Sequence, residues 1–509
     1  MSLFRRHVWL IVALAPIAAL YFRWTWNGEI GSLFNDGVCY LVMAQHYAPG
    51  GAADAAVAAA AFSRFPPLYP LMLAWSGAAF DLYLAHTLTT AFLLLGLIGL
   101  YAWMRNTGLA SAQAALLTLS FAALPGSWLA GLLIQSEYLY LLWSLLALAL
   151  LTAHHDRQRD GWLLAAALAV AAATLTRTIG ITLLPPLLLA ALRAGRRTGL
   201  LSLAAALLPV LLWHAVHSSR GNSYGDSIAG FYGNDAWSFL LQQLRSAPEM
   251  LHAGFAQNLL QQSHAHLLAD LLGALCLAAS AWRAIRLQPD AVYVAGYAVV
   301  VVLWPYPGEA QRLLWVLLPV LLAQPVLVIA ELRKQPPDGL LARIATAACA
   351  ASILAMVLPQ IADAADRYRS ASHGNSPATR GLASWYTAAP ADSALHARTE
   401  LSLVEALRAI AGAVPQQDCV ISIQPYWVNY YARRRSDYPP RESVPAAYFE
   451  SALRNTGCHY LLASRFIDDS YPVPLYPLHR LGDRFEVLQY VEMPDAPSAP
   501  PLSVLTELR

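Results

Sequence analysis

The sequence predicts a polytopic α-helical membrane protein with about eleven transmembrane helices and a C-terminal α/β domain. Its 509 residues are 57% hydrophobic and only 13% charged, about half the charged share of an average soluble domain. Apolar segments close to the length that crosses a bilayer, about 17 to 25 residues, recur through residues 1–358. After residue 358 the composition becomes polar, and the apolar runs shorten to the length of strands.

Composition also excludes several classes of function. The 33 basic and 31 acidic residues give a net charge of +2, without the basic excess of a nucleic-acid-binding protein. The apolar content excludes an intrinsically disordered chain, and the modest glycine and proline content excludes a collagen-like one. The five cysteines form no CxxC pair, so neither structural zinc nor a thioredoxin-like redox site is indicated.

The first predicted span covers residues 8–22. It follows Arg5 and Arg6 as a signal peptide would, but bulky Trp24 and Trp26 stand where a cleavage site needs small residues. We interpret it as a retained helix whose aromatic residues lie at the far interface. The other ten predicted spans are 84–104, 111–125, 137–153, 161–176, 178–193, 199–217, 267–284, 290–305, 312–332 and 340–358.

Arginines predict the orientation of these spans. Cytoplasmic loops carry an excess of basic residues, and alternate loops hold arginine clusters, including Arg157 with Arg159 and Arg283 with Arg286. The remaining loops, including the long 23–83 and 218–266, are expected at the exterior. An odd number of spans then places residues 359–509 outside, in the periplasm of a bacterial inner-membrane protein.

Residues 359–509 are predicted to form a small, partly parallel α/β domain, because helical and strand-like patterns alternate there. Cys419 and Cys458 each begin a predicted strand. In an oxidising compartment they form either a disulfide or two buried free thiols. The predicted helices are 401–413 and 446–455, and the predicted strands are 419–424, 459–463 and 485–491.

The two long exterior loops are not simply polar. Residues 36–47 and 54–62 have the pattern of amphipathic or alanine-rich helices, followed by a proline-rich segment at 65–70. Such segments are expected to lie along the membrane surface. Loop 218–266 begins with a glycine-containing flexible stretch and continues as an amphipathic run, so we expect it to close over a site.

Two carboxylates stand at exterior ends of predicted helices. Asp36 is either a helix N-cap or a general base that takes a proton from an attacking hydroxyl. Glu137 begins the fourth span, where it either complements the helix dipole or serves a function. Because a carboxylate at the head of an apolar span is costly to bury, function is slightly favoured there.

Three arginines share this exterior level, namely Arg64, Arg177 and Arg312. One interpretation is that each extends its charged group to the membrane interface. The other is that they clamp a lipid-linked phosphate, since the guanidinium fork matches phosphate oxygens. Neutralising a leaving phosphate is what a sugar-phosphate donor requires.

Short motifs containing these residues resemble the GT-C glycosyltransferases, most closely the protein mannosyltransferase and aminoarabinose transferase branch, over residues 1–358. The order of the motifs along the chain carries the resemblance, since each motif is short. They are Asp-Gly-x-x-Tyr from Asp36 to Tyr40, Pro-Pro-Leu-Tyr-Pro from Pro66 to Pro70, Ser136-Glu137, Thr176-Arg177, and Arg312 before two leucines.

The resemblance implies a polyprenyl-phosphate-linked sugar donor, bound from within the membrane, and a glycan, lipid or protein acceptor from the exterior. It assigns Asp36 as the catalytic base or as a carboxylate that positions the acceptor, and Glu137 as the second acidic position. It makes Arg64, Arg177 and Arg312 contacts to the donor phosphate, with the motif tyrosines Tyr40 and Tyr69 also at the donor site.

The chain departs from the family pattern at several positions. Gly37 follows Asp36 where many relatives have glutamate, and Leu313 follows Arg312 where they have tyrosine. These departures leave the donor sugar and the use of a divalent metal ion open. No metal ligands are assigned.

Two other functions compete with this one. A non-catalytic transporter or flippase of lipid-linked glycans would carry acidic residues at mid-span, which the sequence mostly lacks. A scaffold whose exterior domain binds a partner would tolerate alanine at the candidate site residues.

Overall fold

A computed structural model describes most of the chain. The described residues are 2–26, 28, 30, 36–58, 65–124, 126–127, 133–157, 159–217, 235–259, 266–304, 310–332, 390–422, 424–439, 451, 455–464, 485–492 and 503–508.

The first part of the chain is helical, as predicted. Apolar runs end at glycine, proline or polar residues, and Asp81 caps one of the helices by accepting a hydrogen bond from the Leu84 backbone nitrogen at 3.2 Å. In chain order the helices are α1 (Ser2–Thr25), α2 (Gly37–Tyr47), α3 (Leu68–Trp75), α4 (Leu82–Asn106), α5 (Ser111–Ala123), α6 (Glu137–Arg157), α7 (Asp160–Thr176), α8 (Leu184–Arg193), α9 (Arg196–His217), α10 (Ala236–Leu259), α11 (His266–Ile285), α12 (Pro289–Leu303) and α13 (Ala310–Leu332).

The lengths of these helices fit a multi-pass membrane protein. By length and composition, five are long and apolar enough to cross a bilayer: Leu82–Asn106, Glu137–His155, Arg196–Val216, Leu267–Ile285 and Ala310–Leu332. Four shorter apolar helices cover the predicted spans at 111–125, 161–176, 178–193 and 290–305, and α1 covers 8–22. The predicted span 340–358 lies outside the described residues.

Burial distinguishes the centre of the helical module from its perimeter. In α13, 83% of the residues in its apolar stretch are buried, whereas in α9 only 17% are buried. A helix that is apolar all round and buried all round belongs to a core, so α13 is the central helix. The exposed leucines of α9, which include Leu200, Leu208 and Leu211, form a surface suited to lipid.

The predicted spans 161–176 and 178–193 meet at Arg177, but the second of them is not one helix. Residue 177 has an extended backbone with φ −147° and ψ 136°, and a 3-10 helix, Thr178–Leu183, precedes α8. The chain folds back closely on α7 here. A Cβ on Gly180 would lie 2.5 Å from the Thr174 nitrogen, so only glycine fits.

The long loop at 23–83 contains α2, where a helix was predicted over 36–47. Of the predicted helix over 54–62, only residues 54–58 are described: residues 55–57 form a turn and Ala58 has 3-10 geometry. There the Asp54 carboxylate accepts a hydrogen bond from the Ala56 nitrogen at 2.9 Å. A side chain that satisfies the backbone in this way favours a turn over a helix.

The C-terminal domain is α/β, as predicted, with a long helix and a mixed five-stranded sheet. The strand order is β2-β1-β3-β5-β4, with β1 parallel to β2 and β3, and β5 antiparallel to β3 and β4. Its elements are α14 (Pro390–Ala413), β1 (Cys419–Ser422), β2 (Arg435–Asp437), β3 (Tyr460–Ser464), β4 (Phe485–Val491) and β5 (Ser503–Leu508).

Most of this domain follows the sequence pattern. The helix at 401–413 and the strands β1, β3 and β4 lie where they were predicted, and the predicted helix over 446–455 lies largely outside the described residues. The two missed strands lack a distinct apolar alternation, because β2 is a three-residue edge strand and β5 follows a proline-rich stretch. A disulfide joins Cys419 to Cys458, which settles the alternative that the sequence left open.

One predicted loop arginine is buried instead. Arg283 lies in the last turn of α11 and is 2% exposed. Its guanidinium pairs with Asp290 of α12 and Glu331 of α13 and donates to Gln324 Oε1 at 2.9 Å. Arg283 was predicted in a short cytoplasmic loop; it lies instead in the last turn of α11, where its charge is neutralised inside the protein and joins three helices, and the side of the membrane stays a prediction.

The close approach at Gly180 predicts a sharp difference between two glycines of this helical hairpin. Gly180→Ala is expected to lower the unfolding free energy by about 1 to 3 kcal/mol, since its Cβ overlaps backbone atoms. Gly161→Ala, in the exposed first turn of α7 with nothing within 4 Å of the added Cβ, is expected to be neutral or to stabilise by about 0.5 to 1 kcal/mol. Thermal unfolding of the detergent-solubilised protein measures both, and equal effects would contradict the close approach.

Candidate active site

Asp36 stands at the N-cap position of α2, but it does not act there as a cap. Its side chain makes no capping hydrogen bond. The carboxylate instead forms an ion pair through Oδ2 with Nη2 of Arg312, at the head of α13. The N-cap interpretation therefore does not account for the contact that this side chain makes.

Glu137 lies at the centre of the ionic cluster. It is the first residue of α6 and its side chain is 1% exposed. Its Oε1 accepts from Arg177 Nη1 at 2.5 Å and from Arg312 Nε. Arg177 meets this carboxylate oxygen from the turn after α7 and Arg312 meets it from α13, and the two guanidinium groups together compensate for the burial of its charge.

A hydrogen-bonded ring closes these contacts. Arg177 Nη1 also donates to Ser136 Oγ at 3.1 Å, and Ser136 Oγ bonds the Tyr40 hydroxyl at 2.8 Å. The Tyr40 backbone nitrogen donates to the Asp36 carbonyl at 3.0 Å, one turn back along α2. Four segments of chain are held together in this way, and they contribute both carboxylates, both arginines and the linking polar groups.

Among the described residues of the cluster, the charges balance. Asp36 and Glu137 contribute two negative charges, and Arg177 and Arg312 contribute two positive ones. Balance is required because a buried, unpaired ion is far more costly than a buried pair. Exposure is uneven: the Asp36 and Arg312 side chains are 24% and 22% exposed, whereas that of Glu137 is almost fully enclosed. The Asp36–Arg312 pair is therefore the part that a ligand can reach.

The two motif tyrosines line the inner side of the site. Tyr40 and Tyr69 are fully buried and pack edge to face, with ring centroids 5.1 Å apart. The Tyr69 hydroxyl bonds Thr89 Oγ1 of α4 at 2.8 Å, and burial raises the pKa of Tyr69, so it remains protonated at neutral pH. Both tyrosines have partners inside the protein, and a direct contact of either with a donor stays a prediction.

Arg64, the remaining predicted phosphate contact, lies outside the described residues.

The cluster also bears on the open question of a metal ion. In the described part of the chain, no group of three or more His, Cys, Asp or Glu side chains lies close enough to hold a metal. Asp36 and Glu137 do not fit a divalent cation as arranged, because the guanidinium of Arg312 already occupies the position between them.

Sequence reasoning missed two aromatic residues beside the cluster. Tyr138 follows Glu137, and its ring packs edge to face on Trp315 of α13 at 5.2 Å. Among the described residues, the Tyr138 hydroxyl and Glu137 Oε2 are buried polar atoms with no hydrogen-bond partner. Nothing in the sequence separates these aromatic side chains from ordinary core residues.

Comparison with known structures identifies the fold. The chain superposes on ArnT from Cupriavidus metallidurans bound to undecaprenyl phosphate, with a TM-score of 0.53, 14% identity and 98% coverage of both chains. The apo state of that protein gives a TM-score of 0.54 at 14% identity, covering 98% of this chain and 97% of the other. The apo oligosaccharyltransferase from Archaeoglobus fulgidus gives 0.53 at 13% identity, covering 91% of this chain and 70% of the other.

At these identities the likeness establishes the fold. Both proteins are GT-C glycosyltransferases, so the resemblance predicted from the short motifs is confirmed for the architecture. No family model matches the sequence, and no curated protein matches it by sequence comparison. The functional roles of the site residues stay predictions.

The shared carboxylate predicts a large effect of Glu137→Gln. The substitution keeps the shape of the side chain but leaves Arg177 and Arg312 with one counter-charge between them. Breaking a buried ion pair on one side costs about 3 to 5 kcal/mol, so thermal unfolding in detergent should begin at a clearly lower temperature. Glu249→Gln, on the exposed face of α10, is the control and should change stability by less than about 0.5 kcal/mol. Equal stability of the two variants would contradict a central role for Glu137.

Proposed function

We propose that this protein is an integral membrane glycosyltransferase that moves a sugar from a polyprenyl phosphate, such as undecaprenyl phosphate, to an acceptor at the exterior face. One observation carries the proposal: Asp36, Glu137, Arg177 and Arg312 converge on one charge-balanced cluster in a chain with the GT-C fold. A protein of the same fold has been solved with undecaprenyl phosphate bound, which supports this donor class.

The cluster has the groups that such a transfer needs. Asp36 takes the proton of the acceptor hydroxyl as its oxygen attacks the anomeric carbon. The bond from that carbon to the phosphate oxygen breaks, and the polyprenyl phosphate leaves with the electron pair. Arg312 and Arg177 stabilise the negative charge that develops on the phosphate. Attack on the face opposite the leaving group inverts the configuration of the sugar.

Unequal exposure within the cluster suggests how the base becomes available. In the structure, Asp36 is paired with Arg312, and a carboxylate held by a guanidinium is a weak base. An incoming phosphate competes for the same guanidinium, and bidentate binding to phosphate suits arginine. Arg312 then exchanges Asp36 for the donor, while the enclosed Glu137 keeps both arginines in place. Donor binding thereby precedes activation of the acceptor.

The proposal includes the arrangement of the chain in the membrane. Residues 1–358 form the catalytic module of a bacterial inner-membrane protein, with loops 23–83 and 218–266 at the exterior. Residues 359–509 form the periplasmic domain. The site then lies at the exterior end of the module, where a lipid-linked donor reaches it from the bilayer and a glycan, lipid or protein acceptor reaches it from outside.

The role of Asp36 is tested by comparing two aspartates at helix N-cap positions of one loop. Asp36→Asn is expected to reduce sugar transfer by at least about 100-fold, because loss of a general base costs about 100- to 10,000-fold. Asp81→Asn retains a side-chain oxygen that caps α4 and should transfer at the wild-type rate. The assay follows labelled sugar from synthetic polyprenyl-phosphate donor to product in detergent or nanodiscs.

The two rival functions give different outcomes in the same assay. Wild-type-like transfer by Asp36→Asn would overturn its role as the base. Movement of lipid-linked sugar across proteoliposomes without formation of any glycosidic bond would favour a flippase. Alanine at Asp36, Glu137 and Arg312 without any consequence would favour a scaffold.

Partner exchange at Arg312 predicts opposite effects on phosphate binding. Arg312→Ala should weaken the binding of undecaprenyl phosphate by at least about tenfold, as expected when a charge-assisted contact of about 1.5 to 3 kcal/mol is lost. Asp36→Asn should bind it at least as tightly as wild type, because the guanidinium no longer has a competing carboxylate. Ligand-dependent thermal stabilisation measures both. Weaker binding by Asp36→Asn would show that Asp36 does not compete with the phosphate.

A further inference from the structure

The C-terminal domain is attached to the same helix that carries Asp36. The short helix Pro425–Trp427 and the π-helical turn Val428–Ala432 of this domain lie against α2. Arg433 follows that turn and extends into the first exterior loop. Its Nη1 donates to Gln45 Oε1 at 2.5 Å, and its Nη2 pairs with Asp54 Oδ2. The contact joins residues separated by almost 400 positions in the chain.

The backbone of Arg433 is held in an unusual conformation to make this contact. Its φ of 53° and ψ of 41° lie in the left-handed region, which L-residues other than glycine, asparagine and aspartate rarely adopt. The neighbouring Arg434 bonds within its own domain instead, donating to the carbonyls of Ala411 at 2.6 Å and Val414 at 2.7 Å, at the end of α14. Adjacent arginines therefore point in different directions, one into its own domain and one out of it.

Gln45 and Asp54, which accept the hydrogen bonds of Arg433, also have partners of their own. Gln45 is 5% exposed and uses both ends of its amide, because its Nε2 donates to the Ala79 carbonyl at 3.1 Å while its Oε1 accepts from Arg433. Asp54 likewise uses Oδ1 for the Ala56 nitrogen and Oδ2 for the arginine. The Arg433 and Asp54 side chains are 44% and 32% exposed, so the buried Gln45 amide is the firmer of the two contacts, and the bond from Asp54 to the Ala56 nitrogen orients the carboxylate.

These contacts fix opposite ends of one short helix. Asp36 and Tyr40, at the start of α2, contact the ionic ring, and Gln45, near its end, contacts the C-terminal domain. The separation between Asp36 and Gln45 is about 14 Å along the helix axis at 1.5 Å per residue. A helix held at both ends cannot shift along its axis or rotate, so the C-terminal domain restrains the position of the Asp36 carboxylate.

We propose that Arg433 is a positioning residue that locks the C-terminal domain onto α2 and keeps Asp36 and Tyr40 aligned with Arg312 and Ser136. Its effect on catalysis rests on the proposed glycosyltransferase function, whereas its effect on α2 does not. The domain then contributes to the reaction by holding the base in register, in addition to any contact of its own with an acceptor.

Hydrogen–deuterium exchange of the full-length protein tests the mechanical part without any assay of activity. Arg433→Ala should speed amide exchange in residues 37–47 by at least about tenfold, because one of the two restraints on α2 is lost. Arg434→Ala is the matched control: it removes the neighbouring arginine, whose bonds lie within the C-terminal domain, and should leave exchange in α2 unchanged. Unchanged exchange in Arg433→Ala, or an equal effect of both variants, would overturn the proposal.

Charge-reversal variants and their kinetics test the effect of this contact on catalysis. Arg433→Asp and Asp54→Arg should each reduce kcat about tenfold or more with little change in the KM for the donor, since misalignment of a catalytic group by about 1 Å can cost 100-fold. The double variant restores the ion pair with reversed charges and should recover most of the kcat. No recovery, or a loss confined to KM, would overturn the positioning role. Absence of transfer by the wild-type protein would instead refute the proposed function and leave the exchange experiment as the test of the lock.

Discussion

The pairing of one buried carboxylate with two arginines governs the arrangement of this protein. Glu137 is enclosed at the head of α6, and a lone ion in such a place would not remain charged. Its partners come from two separate breaks in helical structure, the turn at Arg177 after α7 and the start of α13 at Arg312. These ion pairs bring the ends of the helices to one point. The accessible Asp36–Arg312 pair shares Arg312 with this buried group.

A second ionic network fixes the other end of the central helix. Arg283, Asp290 and Glu331 join the ends of α11, α12 and α13, with Gln324 bonding to both Arg283 and Asp290. From Arg312 to Glu331 the helix rises by about 28 Å, close to the thickness of the hydrocarbon core. Between the two networks α13 is apolar and buried. The charged residues of α13 are therefore confined to its two ends, where water and headgroups next to a bilayer-spanning helix lower the cost of assembling charge.

The two networks differ in whether a ligand can reach their arginine. At Arg283 the guanidinium is enclosed and only the Glu331 carboxylate of the network is partly exposed, so an anion cannot reach the arginine and the network is a structural joint. At Arg312 the guanidinium itself is partly exposed, together with Asp36. The same chemistry thus provides rigidity at one end of the helix and an exchangeable ion pair at the other, as a site for an anionic lipid headgroup requires.

The sequence by itself determined the properties that depend on neighbours along the chain. Hydropathy over windows of about 20 residues located the spans, period-two and apolar runs located β1, β3 and β4, and short motifs indicated the GT-C fold and the site residues. The same reasoning failed where a local pattern is compatible with two structures. Residues 55–57 form a turn where the Asp54 side chain bonds the backbone, and Arg283 is buried where Asp290 and Glu331 of the neighbouring helices neutralise its charge.

Only the tertiary structure decided which side chains meet. Asp36 and Arg312 are 276 residues apart, and their pairing depends on how several helices pack, a property that no local pattern encodes. The same holds for the Tyr40–Ser136 bond, the disulfide between Cys419 and Cys458, and the contact of Arg433 with Gln45. Helix formation follows from local hydrogen bonds and apolar spacing, whereas the geometry of a charged site follows from the requirement that every buried charge find its partner across the whole fold.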